Sequence, residues 1–138
     1  MHRVRITGKR PDFRVFIGLL YSDLRNVDTD GDSFIVSSRE WTELYISDRE
    51  SDDPQVEILQ TLDESFFEVQ SESETLEKLT AIYLLEYSGD LIEKDGRVLD
   101  EAEISSLQER FNVELQRGRS SIWHQSSEEN PYPNLAAE

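Results

Sequence analysis

Apolar positions recur along this chain with two different periods, and the change from one to the other divides it. From Pro11 onward, Phe13, Phe16, Ile17, Leu20, Leu24 and Val27 gather on one helical face, while Phe13, Val15, Ile17, Leu19 and Tyr21 would share one strand face. The length of the run, Pro11 in a first turn and Gly18 in its interior favour a helix over residues 11–26, with a strand as the alternative. The period then shortens. Residues 33–38, 41–47, 55–62 and 65–70 read as strands separated by polar or proline-containing breaks. Within the second, Trp41, Glu43, Tyr45 and Ser47 alternate with Thr42, Leu44, Ile46 and Asp48; within the third, Val56, Ile58 and Gln60 alternate with Glu57, Leu59 and Thr61. Short loops between successive strands predict an antiparallel meander, with one face under helices and the other, rich in carboxylates, turned outward.

The longest apolar element follows. Ser71 and Glu74 have capping-box spacing, and the helix they open runs to Tyr87, with Gly89 supplying a left-handed end. Its second half, Ala81 to Leu85 with Tyr87, is apolar around almost the whole circumference, so it lies between two layers or at an interface. Lys94-Asp95-Gly96-Arg97 marks a tight hairpin turn, and Asp100 with Glu103 repeats the cap spacing before a stripe of Ile104, Leu107 and Phe111. The expected architecture is α+β: an N-terminal helix, a four-stranded mostly antiparallel sheet, a long central helix packed on it, a shorter C-terminal helix and an irregular aromatic tail. The expected organisation is one domain over residues 1–138, with a basic arm at 1–10 in which Val4 to Thr7 is a short strand in the alternative reading, a body at 11–111 and a tail at 112–138 that docks Trp123.

Charge changes the picture more than composition does. The chain holds 30 acidic against 14 basic residues in 138, a net of −16. Residues 1–14 run the other way, with Arg3, Arg5, Lys9, Arg10 and Arg14 against Asp12 alone. From Glu40 to Glu77 there are 13 acidic side chains and one basic one, Arg49. Such a surface favours encounter with basic partners and repels a phosphate backbone, which disfavours direct nucleic-acid binding. The absence of cysteine excludes disulfides, thiolate metal sites and cysteine nucleophiles. With no long apolar run and no signal-peptide pattern, the expectation is a soluble cytoplasmic protein without membrane contact, monomeric or weakly dimeric.

No motif carries catalysis. Asp28, Asp30 and Asp32 alternate as in a calcium loop, but no register supplies both Gly at the sixth position and Glu at the twelfth, so a solvated loop is expected. His2 sits in the basic arm. His124, beside Ser121, Ser126 and Glu128, has the residue types of a nucleophilic site without its spacing. No cofactor and no metal are expected. The reading from the residues is a partner-binding surface on the acidic strands, formed by Glu40, Trp41, Glu43, Tyr45, Asp48, Glu57 and Glu68, with the aromatic-plus-charge makeup of an interface hot spot.

The succession Phe34 to Ile46 (FIVSSREWTELYI), then Phe67 to Ser73 (FEVQSES) and a helix into Tyr87-Ser-Gly, resembles bacterial immunity proteins of polymorphic-toxin and contact-dependent-inhibition systems. The likeness spans roughly residues 12–111 and rests on size, acidity, absence of cysteine and element order. It implies a non-enzymatic protein that occludes the active site of a basic toxin domain, often a nuclease. A nucleic-acid mimic that sequesters a DNA-binding protein, and an enzyme built on His124, are the alternatives.

Overall fold

A computed structural model describes residues 1–16, 19–20, 27–31, 41–48, 55–121 and 124, with the backbone alone for 27–31 and 48. The protein is α+β, and an antiparallel sheet dominates it. Its strands are β1 (His2–Ile6), β2 (Val27–Gly31), β3 (Glu43–Asp48), β4 (Val56–Gln60), β5 (Phe67–Ser71), β6 (Gly89–Lys94) and the two-residue β7 (Arg97–Val98). The helices are α1 (Glu74–Ser88), α2 (Glu101–Arg110) and α3 (Asn112–Arg119). The order across the sheet is β2-β3-β4-β5-β1-β6-β7. The expected meander is therefore present from β2 to β5, but the sheet is wider than four strands.

The largest departure is at the start of the chain. The segment expected as a basic arm is β1, which pairs with β5 on one side and β6 on the other. Its sequence explains this: His2 and Val4 are buried, while Arg3 and Arg5 alternate with them on the opposite face. A strand with such a clean period of two fits a sheet covered on one side only.

The N-terminal helix expected over 11–26 is not shown. Among the described residues, Val15 and Phe16 donate backbone hydrogen bonds to Asp12 and Phe13 in tight turns. Val15, Phe16, Leu19 and Leu20 are all buried, a wider apolar face than either single pattern anticipated. Residues 27–31, expected within a solvated loop, form β2 antiparallel to β3, with Asp30 opposite Tyr45. The strand expected at 33–38 lies outside the described residues, as do Ile122, Trp123 and the rest of the tail beyond His124.

One core joins the sheet to the helices. Leu44, Ile46, Val56, Ile58, Phe67, Val69, Val4 and Ile92 present a continuous apolar face, and Leu79, Ile82, Tyr83 and Leu84 of α1 are buried with them. The apolar half of α1 is covered on its far side by α2 and α3, so it is a layer and not an open interface. Part of the expected irregular tail is thus the helix α3, whose Leu115 and Gly118 are buried.

Caps fall one residue pair away from the pattern at one end and on it at the other. Ser71 completes β5 opposite Val56, so the cap of α1 passes to Ser73, whose Oγ accepts from the Leu76 N–H at 3.2 Å. Gly89 ends α1 with an extended backbone (φ −95°) instead of a left-handed one. A Cβ there would stand 2.8 Å from Val4 Cγ1 and 2.9 Å from the Leu85 Cα, so glycine is required by close approach of helix to strand. Asp95 and Gly96 both have positive φ, +51° and +85°, giving the two-residue turn between β6 and β7. The capping box of Asp100 and Glu103 is complete in both directions.

Candidate functional site

Alternation places two kinds of surface on the sheet. The inner face carries the core. The outer face carries Glu43 and Tyr45 from β3, Glu57 and Leu59 from β4, Glu68 and Gln70 from β5, then Arg3 and Arg5 from β1 and Glu93 from β6. The strand register aligns Glu43 with Leu59, Leu59 with Glu68, and Glu68 with Arg3 in one row. Tyr45 stands opposite Glu57, which stands opposite Gln70, in the next. Of the seven sequence-predicted site residues, Glu43, Tyr45, Glu57 and Glu68 thus share one face.

Trp41 does not. It precedes β3, leaves the alternation, and is buried beneath the sheet with 1% of its surface exposed. Its indole N–H donates to the Pro11 carbonyl at 3.0 Å, and its ring meets Phe16 and Phe67 edge-on. A tryptophan at the centre of a small core is packing, and it is removed from the surface expected of it. Glu40 and the Asp48 side chain lie outside the described residues.

The acidic field is interrupted by pairing. Arg3 approaches Glu68 at 3.6 Å, and Arg5 grips Asp90 through Nε at 2.7 Å and Nη2 at 3.1 Å. The Arg5 guanidinium holds the Asp90 carboxyl below the usual carboxylate range. Arg14 closes on the buried Asp12 with a bidentate fork. Asp63, at the loop between β4 and β5, is also lowered, first by the Thr61 hydroxyl and then by the Ser65 N–H.

Sequence reasoning missed a buried pair at one end of the face. His2 Nδ1 lies 2.5 Å from Glu77 Oε2, with 1% and 8% of the two residues exposed. Glu77 also accepts from the Ser71 N–H at 3.4 Å, so a single carboxylate ties β1, the end of β5 and the first turns of α1. The signal was present in the alternation of His2 and Val4 with the arginines. This pair separates two clefts. One, of about 550 Å³, is lined by Met1, Gln55, Glu57, Gln70, Ser71, Glu72 and Glu77 and opens beside the acidic face; the N-terminal ammonium of Met1 lies 3.6 Å from Glu77 Oε2. The other, of about 460 Å³, is lined by His2 and by residues of α1, the β6–β7 hairpin and α2.

His124, the candidate base, is held by aromatics. Its Nδ1 is 2.6 Å from the Tyr83 hydroxyl, and its ring lies edge-on to Tyr83 and Tyr87. Burial lowers its pKa, and nearby Arg119 lowers it further, against Glu86. Burial pushes the Tyr83 hydroxyl up, so the phenol keeps its proton, and the direction of its hydrogen bond with Nδ1 follows the tautomer of the ring. Among the described residues no serine hydroxyl or carboxylate orients this ring. Arg119 grips Glu86 instead, at 2.7 and 2.8 Å.

No family profile, curated protein or solved structure matches this chain. Among the described residues, no helix is long and apolar enough to cross a membrane. The functional reading therefore rests on the geometry of the surfaces.

One pH response follows from the hairpin side. Arg97 Nη1 and Nη2 each lie 2.8 Å from a Glu103 oxygen, and Glu103 also accepts from the Asp100 N–H. The guanidinium, then the backbone N–H, takes the Glu103 carboxyl from its ordinary 4.5 to about 2. A lowered carboxyl stabilises the fold above its unfolded pKa and loses that contribution as acid protonates it. Glu103→Gln is expected to flatten the stability curve between pH 4.5 and about 2 and to leave its shape unchanged above that window. Urea midpoints across pH measure this. An identical acid limb in the variant would refute the assignment.

Proposed function

We propose that this chain is a non-enzymatic binding protein that captures a basic protein partner on the outer face of its sheet. Its resemblance to immunity proteins directs the choice of partner to a cationic toxin domain, such as a nuclease. The observation that carries the reading is that Glu43, Glu57 and Glu68 share one sheet face with the half-buried Tyr45, with Glu57 directly opposite it and also lining the cleft of about 550 Å³. A rigid aromatic among carboxylates supplies both an anchor and long-range attraction for a cationic surface. The cleft beside it has room for a protruding lysine or arginine against Glu57 and Glu72, while Glu77 is engaged by His2 and the N-terminal ammonium. Blocking an active site from outside requires a stiff face, and a sheet backed by one packed core provides one.

Arg3 and Arg5 on the interior strand β1 weigh against the nucleic-acid mimic, because they break the carboxylate field along which duplex charge would be copied. The test uses a cationic toxin domain encoded next to this protein, titrated by surface plasmon resonance from low to high salt. Binding is expected to weaken as salt rises, mainly through slower association. The pair Glu43→Lys and Tyr45→Ala is expected to weaken it by at least about 100-fold, the size of two hot-spot losses. Affinity that ignores both salt and this pair would sink the proposed surface.

A further inference from the structure

We propose that the second cleft, between α2, the β6–β7 hairpin and the first turns of α1, binds a small phosphorylated ligand. The site stands apart from the acidic face and does not depend on the partner read for it.

Four of the 14 basic residues of a strongly acidic chain converge on this one cleft of about 460 Å³: Lys78, Lys94, Arg97 and Arg110. They come from α1, β6, β7 and α2, and only Lys94 and Arg97, on the two arms of one hairpin, are close in sequence. The carboxylates in the lining are already engaged. Asp100 accepts the Glu103 N–H at 2.8 Å as the cap of α2, and Glu103 is taken by Arg97 and by the Asp100 N–H. At the rim, Glu74 holds Lys78 at 2.6 Å and touches Lys94 only at 3.5 Å. Arg110 makes no ion pair among the described residues; its guanidinium lies 5.0 Å from the centre of the Phe111 ring. The cleft thus offers one cation without a carboxylate, one loosely held, and two in ion pairs, Lys78 with Glu74 and Arg97 with Glu103.

His2 lies at the wall of this cleft, and Glu77 fixes its ring through Nδ1, its only hydrogen bond among the described residues. The orienting carboxylate leaves Nε2 as the ring's remaining polar atom, the arrangement that aims a histidine at a ligand. Leu99 and Leu107 add an apolar patch. The volume is within the range of small-molecule sites, in which an apolar wall holds the organic body and a few charges fix its orientation. Planar guanidinium forks with ammonium point charges match phosphate oxygens better than a single carboxylate.

The test is isothermal titration calorimetry of the whole chain with inorganic pyrophosphate, joined to NMR of the two imidazoles. The rest of the surface repels a polyanion, so non-specific uptake is suppressed. Pyrophosphate is expected to bind in the submillimolar range and to move the His2 ring signals while leaving those of His124 in place. Lys94→Ala with Arg110→Ala is expected to weaken binding at least about tenfold. Both side chains are on the surface, so the folded state is retained, whereas Arg5→Ala on the opposite face leaves the affinity unchanged. Absence of heat up to about 10 mM pyrophosphate, an affinity equal in the double variant, or equal shifts at both histidines would each overturn the proposal.

Discussion

Trp41→Ala is expected to remove about 3–5 kcal/mol of stability, the usual cost of truncating a large aromatic in a core. The side chain is 1% exposed, bridges Phe16 to Phe67 through two edge-on contacts, and closes the Pro11 carbonyl. A domain of this size holds about 5–15 kcal/mol in all, so this single change approaches the unfolding threshold. Trp41→Phe keeps most of the apolar volume but leaves the buried carbonyl without its donor, and about 1–3 kcal/mol is expected from that loss. Urea denaturation decides both, with the midpoint falling while the slope stays constant. Tyr45→Ala, on the outer face, is expected to fall within about 1 kcal/mol of the parent, because its ring is not enclosed. The two aromatics, four positions apart, would thus separate into one that holds the fold and one that serves the surface. A small loss for Trp41→Ala would return it to the surface.

Glu77→Leu is expected to cost about 3–5 kcal/mol, since removing one member of a buried pair strands the other. The His2 ring would lose its only hydrogen bond among the described residues, and the Ser71 N–H would lose an acceptor at the junction of β5 with α1. The double variant His2→Leu with Glu77→Leu removes both polar partners and is expected to be more stable than Glu77→Leu alone. Buried ion pairs replaced by apolar groups of similar volume are often neutral. A coupling of at least about 1 kcal/mol between the two sites, read from a double-mutant cycle in urea, is the expected signature. Additive losses would mean that the close approach of Nδ1 to Oε2 carries no net interaction.

Most of the middle of the chain was legible because its signals are local. The Asp95-Gly96 turn, the Asp100–Glu103 box, the alternation of Val56 to Gln60 and the apolar stretch of α1 each depend on residues within a few positions of one another. What failed depended on partners far along the chain. His2 to Ile6 has a strand's alternation, yet five residues at a terminus do not reveal that β5 and β6 stand apart to receive them. Val27 to Gly31 holds two aspartates and a glycine, which disfavour a strand, and becomes one because β3 offers it an edge. Ser71 lost its cap role to Ser73 because β4 pairing carried β5 one residue further, through Ser71. Trp41 was placed on the wrong side because the strand was begun before its ladder begins at Glu43. The acidic face was legible in kind, from Glu43, Tyr45, Glu57 and Glu68. The cationic cleft was not, because Lys78, Lys94, Arg97 and Arg110 meet only through tertiary packing.

The position of β1 bears on the order in which the sheet assembles. Its neighbours are β5, where His2 meets Val69, and β6, where His2 meets Lys94, so neither partnership forms by local zippering. Loop-closure entropy must be overcome before those ladders give anything in return, which places this chain among the slower folders of its size. Until β1 docks, β5 and β6 each expose an unpaired edge, and the dense negative charge between Glu40 and Glu77 keeps such species apart in solution. The first half-dozen residues of a chain are ordinarily where changes are tolerated best. Here they are the keystone, and an alteration at Val4 would be felt in the middle of the sheet.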